Sequence, residues 1–289
     1  MTLKQALNLA REILVANSIE DASLESELLL RHTLKLSRVQ LYLDLSRELS
    51  LEKEVTFWNL VRRRLNGEPT AYITGHREFY GLDLYVDSRV LIPRPESELL
   101  VEKALQLAQS HYIATIADIG TGCGAIAISL ALNLPGAKIY ATDISASALN
   151  VARINCQKHG VGGRVRLLHG DMLDPLPESV DLIIANLPYV RELEISQMGL
   201  ANFEPQLALN GGLDGLEMIG RLCQQVGSKL CLQGCLLLEI GQGQGDAVTT
   251  FLRRLFPSVA AEVTPDLNGI ERIVSLCLTS DCLEAKLVS

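Results

Sequence analysis

A polar tetrapeptide, Asn186-Leu187-Pro188-Tyr189, follows the apolar run Val180–Ala185 and contains residue types that could do chemistry. A run rich in β-branched and aliphatic residues is typical of a buried strand in a parallel sheet. The turn after it would lie at the carboxyl end of the strand, where open α/β sheets bind ligands. Because Leu187 precedes a proline, its backbone favours an extended form that can direct the carbonyl outward, beside the Asn186 amide. Taken alone, the tetrapeptide is equally consistent with an ordinary strand-ending turn.

A second stretch, Asp118-Ile119-Gly120-Thr121-Gly122-Cys123-Gly124, has glycines at alternate positions after a predicted strand. Such glycines let the backbone turn tightly and approach a ligand without side chains in the way. Asp143 ends the next predicted strand, where it can accept hydrogen bonds from ribose hydroxyls. Asp171 follows the strand after that, with Met172 beside it to pack on a flat base.

The spacing of the glycines separates two classes of nucleotide ligand. It is G-x-G-x-G, not the G-x-G-x-x-G of dinucleotide-binding folds. S-adenosylmethionine carries ribose and adenine but no phosphate, so the helix N-terminus has no anion to hold. The pattern therefore favours S-adenosyl-L-methionine as cofactor over a glycine turn without a ligand. The residues predicted to contact it are Asp118, Gly120, Thr121, Gly122, Cys123, Gly124, Asp143, Asp171, Met172 and Asn186.

The composition is that of a globular protein, with 289 residues, of which 48% are hydrophobic and 21% charged. No apolar segment reaches the roughly 20 residues of a membrane helix, and the N-terminus does not resemble a signal peptide. Seven cysteines form an odd set without a C-x-x-C pair. We therefore expect a cytoplasmic protein with reduced thiols, no metal site and no membrane partner.

The net charge of −8 is unevenly distributed along the chain. Residues 1–75 contain 10 basic and 10 acidic residues, so the rest of the chain carries the whole net charge. A protein that binds naked nucleic acid usually has a basic face, which this acidic part does not indicate. The basic cluster Arg62-Arg63-Arg64 is predicted to be a solvated helix face or a partner contact.

Local signals divide the chain into three predicted segments. Helical periodicity, with caps at Thr2, Ser37 and Ser50, predicts a small helical bundle over 1–71. Aromatic and β-branched residues alternating with glycines between Tyr72 and Ile92 predict a β-hairpin linker over 72–95. The remaining residues, 96–289, would form the domain that holds the cofactor.

Strands and helices alternate in this last segment, after a predicted helix at 96–109. The predicted strands are 115–120, 138–142, 165–169, 180–185 and 235–240, and the predicted helices between and after them are 123–132, 145–159, 214–230 and 245–256. Such alternation predicts an α/β fold with a doubly wound, Rossmann-like parallel sheet. A final strand pair near 259–263 and 271–278 predicts an antiparallel hairpin at the C-terminal edge.

These motifs resemble those of a known protein family. D-I-G-T-G-C-G-A-I-A followed by N-x-P-Y resembles class I S-adenosylmethionine-dependent methyltransferases that act on a planar nitrogen. Further stretches narrow the resemblance to one family within this class: Gly67-Glu68-Pro69, Thr74-Gly75, Arg77-Glu78-Phe79, Leu91-Ile92-Pro93-Arg94-Pro95-Glu96, Phe203-Glu204-Pro205, Gly211-Gly212-Leu213-Asp214-Gly215, Leu238-Glu239-Ile240-Gly241 with Gln244, and Asn268-Gly269 with Glu271-Arg272. Together they are similar to the protein-(glutamine-N5) methyltransferases of the HemK/PrmC family, over nearly the whole chain. One residue departs from the family, which usually has Asn-Pro-Pro-Tyr where this chain has Leu187.

The resemblance implies an activity and a partner. The implied reaction transfers a methyl group from S-adenosyl-L-methionine to the side-chain amide nitrogen of the glutamine in the Gly-Gly-Gln motif of peptide chain release factors. The N-terminal helical domain would help to hold the release factor. No direct nucleic-acid substrate is expected.

The catalytic and substrate-binding residues would be Asn186, Leu187, Pro188 and Tyr189. An amide nitrogen is a poor nucleophile because its lone pair is delocalised into the carbonyl. Asn186 Oδ1 and the Leu187 carbonyl are predicted to accept both of its N–H groups, while Pro188 restrains Leu187 and Tyr189 packs against the substrate amide. No strong base is needed, since a proton can leave after methyl transfer.

Two alternatives remain open from the sequence. The tetrapeptide also resembles that of rRNA adenine dimethylases, which suggests an adenine-N6 methyltransferase on RNA or DNA. The acidic domain and the I-P-R-P-E stretch count against that reading. A non-catalytic, cofactor-binding adaptor is the other alternative, and an intact Asn186 with the glycine loop counts against it.

Overall fold

The computed structural model describes residues 1–197 and 203–278. The predicted third segment therefore extends beyond the described residues at its C-terminal end. The described chain forms two compact units and passes from the first to the second between His76 and Arg77.

The first unit is a helical bundle. Its helices are α1 (Leu3–Ala16), α2 (Ala22–Leu34), α3 (Arg38–Leu43), α4 (Leu51–Leu65) and α5 (Thr70–Thr74). Thr2 and Ser37 each form the predicted capping box, in which the cap hydroxyl accepts from the N3 backbone and the N3 glutamine accepts in return. Leucines such as Leu3, Leu14 and Leu29 are fully buried with Phe57 between the helices. The four predicted helices are confirmed.

The predicted hairpin is wrong in its first residues. Thr70–Thr74 is one helical turn that begins after the extended Pro69 and ends at Gly75, whose φ is +74°. The Gly75 N–H donates to the Ala71 carbonyl at 2.8 Å, which closes that turn. Strands β1 (His76–Phe79) and β2 (Leu82–Tyr85) then form a two-stranded sheet. The proline before this short segment and the glycine after it therefore determine a helical turn, although the residues between them favour a strand.

The basic cluster on α4 is largely paired within its own unit. Arg63 Nε donates to Glu68 at 2.6 Å, and Arg64 forms an ion pair with Glu25. Arg62 donates to Asn59 at 3.1 Å. Two of the three guanidiniums are thus neutralised by carboxylates, which does not favour a phosphate-binding patch.

The second unit contains a seven-stranded sheet in the order β5-β4-β3-β6-β7-β9-β8. Its strands are β3 (Thr115–Ile119), β4 (Lys138–Asp143), β5 (Val165–His169), β6 (Val180–Ala185), β7 (Leu230–Glu239), β8 (Ala261–Pro265) and β9 (Glu271–Cys277). Its helices are α6 (Glu98–Ser110), α7 (Ala125–Asn133), α8 (Ala146–Lys158), α9 (Glu192–Gln197), α10 (Glu217–Lys229) and α11 (Gly245–Leu255). Strands β3 to β7 are parallel, and β9 runs antiparallel to both of its neighbours. The predicted α/β class and antiparallel edge hairpin are confirmed.

The order of the strands determines where a ligand can bind. The chain leaves β3 on one side towards β4 and returns on the other side as β6, so β3 and β6 flank the topological switch point. Ile119 pairs with Ala185 across this point and with Thr142 on the other side. The residues that follow these three positions must therefore emerge side by side at one edge of the sheet.

Apolar strands and helix faces bury a continuous core around the sheet, including Tyr140, Ile183, Leu236 and Leu252. Within residues 1–197 and 203–278, no helix has both the length and the apolar character that a membrane crossing requires.

The expectation of reduced thiols is wrong for one cysteine pair. Cys235 and Cys277 form a disulfide across directly opposed positions of β7 and β9. Spacing along the chain could not reveal this pair, because the antiparallel register brings together residues 42 positions apart. The other cysteines of the described residues, Cys123, Cys156, Cys223 and Cys231, are free thiols.

Candidate active site

The glycine loop between β3 and α7 adopts a backbone that favours glycine. The φ angles of Gly120, Gly122 and Gly124 are +71°, +56° and +86°, in the left-handed region. A Cβ on Gly120 would also lie only 3.2 Å from Leu187 Cδ2. The loop can therefore lie directly against the tetrapeptide only because this position lacks a side chain.

Asp118 stabilises the glycine loop through hydrogen bonds. Its buried Oδ2 accepts from Thr121 Oγ1 at 2.6 Å and from the Ala127 N–H at 3.2 Å. Burial raises the pKa of this carboxyl to about 6. Asp118, Thr121, Cys123 and Gly124 do not line the cavity described next. The hydrogen bonds of Asp118 thus shape the loop, and direct contact of these residues with the cofactor stays a prediction.

A cavity of about 580 Å³ opens at the carboxyl ends of β3, β4 and β6, which is within the usual size of small-molecule sites. The predicted residues that line it are Gly120, Gly122, Asp143, Asp171, Met172, Asn186, Leu187 and Pro188. Ile144 and Arg221 line it as well and were not predicted. Eight positions spread over 69 residues of sequence thus face one space.

Asp143 is oriented by backbone donors on both oxygens. Oδ2 accepts from the Gly122 N–H at 2.9 Å and Oδ1 accepts from the Ser145 N–H at 2.8 Å. Burial raises the pKa of this carboxyl above its usual 3.8. Each ionised oxygen keeps a second lone pair, so the carboxylate can accept a pair of hydroxyl groups from the cavity side.

Asp171, predicted from the sequence to contact the cofactor, is paired with a basic residue. Arg221 of α10 forms an ion pair with its Oδ2. The neighbouring Met172 is buried at a φ of +46°, an uncommon conformation for a bulky residue. No local motif marks Arg221, which lies 50 residues from its partner.

Asn186 is anchored by its amide nitrogen. Nδ2 donates to Ser97 Oγ at 2.8 Å, and Oδ1 accepts no hydrogen bond from the described residues. Leu187 is buried against the glycine loop and belongs to the core of the sheet. The amide oxygen therefore keeps its acceptor capacity for a ligand in the cavity.

Tyr189 is bonded to the neighbouring strand β7. Its side chain does not line the cavity, and its hydroxyl donates to Glu239 Oε1 at 3.3 Å. Burial, followed by the nearby Glu239 charge, raises the pKa of the phenol to about 12. The hydroxyl therefore ties the tetrapeptide to β7, and the packing of the ring against a substrate amide stays a prediction.

Two motifs that are distant in sequence, the stretch ending at Gly215 and the stretch that includes Gly241 and Gln244, hold the tetrapeptide in place through hydrogen bonds and close contacts. Gln244 Nε2 donates to the carbonyls of Tyr189 and Gly215, at 3.3 and 3.2 Å, while its Oε1 accepts from the Gly241 N–H at 2.8 Å. A Cβ on Gly215 would lie 2.8 Å from Gln244 Nε2 and would collide with the Tyr189 carbonyl. These residues hold the tetrapeptide loop in place and do not line the cavity.

Sequence reasoning assigned no role to Ser97 or Glu239. Both are buried, and both act on the tetrapeptide through side-chain hydrogen bonds. The sequence contained one signal for each residue. Ser97 directly follows the motif Ile92-Pro93-Arg94-Pro95-Glu96, and Glu239 lies within the motif Leu238-Glu239-Ile240-Gly241.

The cavity is electrostatically suited to a cationic ligand. Among the described residues that line it, four are carboxylates and two are guanidiniums. Both guanidiniums are already paired, Arg89 with Asp87 and Arg221 with Asp171. A sulfonium compound fits this lining better than a polyphosphate, since like charges repel in a site of low dielectric constant.

The sheet order, the glycine loop and this cavity define the fold and site of a class I methyltransferase. Two family profiles match the chain: the PrmC N-terminal domain over residues 5–75 and the methyltransferase small domain over residues 95–212. The release factor glutamine methyltransferase of Moorella thermoacetica is 43% identical, covering 94% of this chain and 97% of its own. That of Koribacter versatilis is 39% identical, covering 95% and 98%. The chain belongs to the release factor glutamine methyltransferase family.

Among solved structures, the hMettl16 catalytic domain in complex with an RNA hairpin superposes with a TM-score of 0.58. The two share 18% sequence identity, over 73% of this chain and 81% of that one. At this identity the likeness shows the methyltransferase fold alone.

Replacing Asp143 with alanine is expected to weaken S-adenosylmethionine binding by about 10- to 100-fold, because one or two hydrogen bonds to a charged acceptor are lost, each roughly 1.5–3 kcal/mol. Isothermal titration calorimetry measures the affinity, and circular dichroism checks the fold. Asp246→Ala, which removes a carboxylate at the start of α11, is the matched control. Unchanged affinity in a folded Asp143→Ala variant would remove Asp143 from the cofactor site.

Proposed function

We propose that this protein transfers a methyl group from S-adenosyl-L-methionine to N5 of the glutamine in the Gly-Gly-Gln motif of peptide chain release factors. The observation that carries this proposal is the anchored Asn186 amide, whose Oδ1 remains available at a cavity suited to a sulfonium. The names of the relatives support glutamine as the acceptor over the adenine-N6 alternative. We expect the enzyme to act in the cytoplasm.

The cavity fits the cofactor by the chemistry of its walls. Asp143 would hold the ribose hydroxyls, and Ile144 and Met172 would cover the adenine faces. The side-chain-free backbone at Gly120 and Gly122 would accommodate the rest of the molecule. When bound, S-adenosyl-L-methionine supplies an electrophilic methyl group on a sulfonium.

The tetrapeptide would orient the glutamine amide. Asn186 Oδ1 and the Leu187 carbonyl would each accept one N–H of the substrate NH2 group, which fixes the direction of the nitrogen lone pair. Alignment of two reactants can lower a barrier by about 7–11 kcal/mol in well-oriented systems. Because the methylated amide loses a proton readily, no side chain has to act as a strong base.

The test of this function is methyl transfer with purified components. We expect tritiated methyl to pass from S-adenosylmethionine to intact release factor, and not to a release factor whose Gly-Gly-Gln glutamine is replaced by alanine. Peptide mapping would locate the label on that glutamine. Label on the alanine variant, or on ribosomal RNA offered in parallel, would contradict the proposal.

The helical bundle is the proposed docking surface for the release factor. Two exposed apolar pairs at i, i+4 spacing lie on it: Val39 with Leu43 on α3, and Leu51 with Val55 on α4. Residues at this spacing share one face of a helix. Exposed apolar ridges of this kind are typical of protein contacts.

Replacing Leu43 and Leu51 together with serine is expected to raise the KM for release factor about tenfold or more, because a leucine buried in a contact contributes roughly 1.5–3 kcal/mol. The kcat at saturating release factor should stay unchanged. Both side chains are 82% exposed, so the fold should tolerate the change. Leu232→Ser, an exposed leucine of the second unit, is the control. An unchanged KM in the double variant would argue against docking on these ridges.

A further inference from the structure

A cluster of metal-binding side chains lies away from the candidate active site. It consists of His111, which caps the C-terminus of α6, Cys235 of β7 and Cys277 of β9. One imidazole nitrogen and the two sulfur atoms all lie within 4.8 Å of one another. None of the three residues lines the cavity that would hold the cofactor. The proposed methyl transfer therefore gives this His-Cys-Cys cluster no role.

The sheet brings the cluster together. The antiparallel register places Cys235 directly opposite Cys277, so both sulfur atoms lie on one face of the sheet. Helix α6 packs against β7, and the residue that caps this helix adds the imidazole. Spacing along the chain gave no sign of this arrangement, which is why the sequence predicted no metal site.

The chain around His111 is held in place by side-chain hydrogen bonds. The ring nitrogen Nδ1 lies 3.0 Å from Ser110 Oγ. A little further along the chain, Asp181 Oδ2 accepts from the N–H groups of Ala114 and Thr115, each at 2.9 Å. A polar partner that orients the ring is usual for a histidine that binds a metal ion. The imidazole is thus positioned beside the two sulfur atoms without help from an ion.

The ligand set selects the kind of ion. Thiolate and imidazole are ligands that Zn²⁺ prefers, in tetrahedral sites where water can take the fourth position. Ions such as Mg²⁺ and Ca²⁺ prefer oxygen and do not suit this set. Cys235 is buried, whereas His111 and Cys277 are partly exposed, so an ion can reach the cluster from the solvent.

The oxidation state of the cysteines decides whether the cluster can bind an ion. Cys235 and Cys277 are joined as a disulfide, which offers no thiolate. Reduction by a dithiol converts the S–S bond into two thiols, while the dithiol becomes a disulfide. The cytoplasm expected for this enzyme would supply such a reductant. Zn²⁺ then replaces the proton of each thiol, and two protons are released.

We propose that His111, Cys235 and Cys277 form a redox-controlled zinc site. Under oxidising conditions a disulfide joins β7 to β9. Under reducing conditions a Zn²⁺ ion, bound by two thiolates and one imidazole, joins the same two strands and also ties them to α6. This inference does not depend on the proposed methyl transfer.

The first test measures metal binding by the full-length protein, reduced with a water-soluble phosphine and desalted without oxygen. Co²⁺ is the probe, because a tetrahedral Co²⁺ ion with thiolate ligands has charge-transfer and ligand-field absorption bands. We expect one Co²⁺ per chain with this spectrum, and its displacement by Zn²⁺. Protein oxidised to the disulfide should not produce the spectrum. Reduced protein that binds no Co²⁺, or oxidised protein that binds it equally well, would overturn the proposal.

The second test assigns the ligands in the reduced protein. Cys235→Ser, Cys277→Ser and His111→Ala should each weaken Zn²⁺ binding by at least about 100-fold, because losing even an outer partner of a metal ligand costs 10- to 100-fold. The controls are Cys231→Ser, a free thiol of the same strand β7, and His159→Ala, a histidine that caps α8. Both should bind Zn²⁺ like the wild type. Unchanged affinity in His111→Ala or in both serine variants would refute the three-ligand site.

Thermal unfolding gives a second measure of the same site. Zn²⁺ should raise the Tm of the reduced wild type, because a ligand that binds only the folded state stabilises it. It should not raise the Tm of the oxidised protein or of reduced His111→Ala. Cys277→Ser keeps the test available if the buried Cys235→Ser change prevents folding. No measurement here uses release factor, so a failure of the proposed function would leave these results unaffected.

Discussion

Replacement of Asn186 with alanine is expected to lower methyl transfer by roughly 10²–10³, because the variant loses an acceptor that is aimed at the reacting nitrogen in the transition state. The affinity for S-adenosylmethionine should stay close to that of the wild type, since the ribose and base contacts are proposed to lie on Asp143, Ile144 and Met172. Single-turnover transfer of tritiated methyl to release factor measures the rate, and calorimetry measures cofactor binding.

Two further variants make this expectation specific. Asn150→Ala, on the exposed face of α8, applies the same chemical change outside the cavity and should have wild-type activity. Leu187→Pro keeps the carbonyl that would accept the second N–H, so transfer should be retained, although the buried leucine side chain is lost from the core. Full activity in Asn186→Ala would exclude the amide-binding mechanism and leave the tetrapeptide as a strand-ending turn.

Glu239→Gln is expected to become more stable than the wild type as the pH rises. Burial raises the pKa of Glu239 from its usual 4.5 to about 7. A carboxyl with a raised pKa in the folded state contributes its full stability below the unfolded-state pKa, and this contribution is lost as the pH rises through the folded-state pKa. The glutamine side chain does not ionise, so it escapes this loss.

The interval between these two pKa values corresponds to about 3 kcal/mol. The difference in unfolding free energy between Glu239→Gln and the wild type should therefore shift by about that amount, in favour of the variant, between pH 4.5 and pH 8. Urea denaturation at a series of pH values measures it. Glu178→Gln, an exposed carboxylate, provides the comparison for a group without burial. A pH-independent difference for Glu239→Gln would show that its carboxyl is not destabilised by burial.

The sequence by itself determined the elements and their class. Strand and helix periods along residues 115–278 predicted the parallel sheet, and local caps at Thr2, Ser37 and Ser50 predicted where helices begin. The glycine loop and Asp143 could also be identified from the sequence, because a turn and the end of a strand each depend on a few consecutive residues. These signals are local, so a single sequence contains them in full.

Only the tertiary structure decided which of these residues act together. The disulfide between Cys235 and Cys277 depends on an antiparallel register, and the Asp171–Arg221 pair depends on the packing of α10 beside the cavity. In the same way, Tyr189 turns to Glu239 because β6 and β7 are neighbours in the sheet. Strand order and register bring together residues that are far apart in sequence, and neither is encoded in a short stretch of chain. Which carboxyl is buried, and which oxygen of an amide faces a ligand, follows from those long-range contacts.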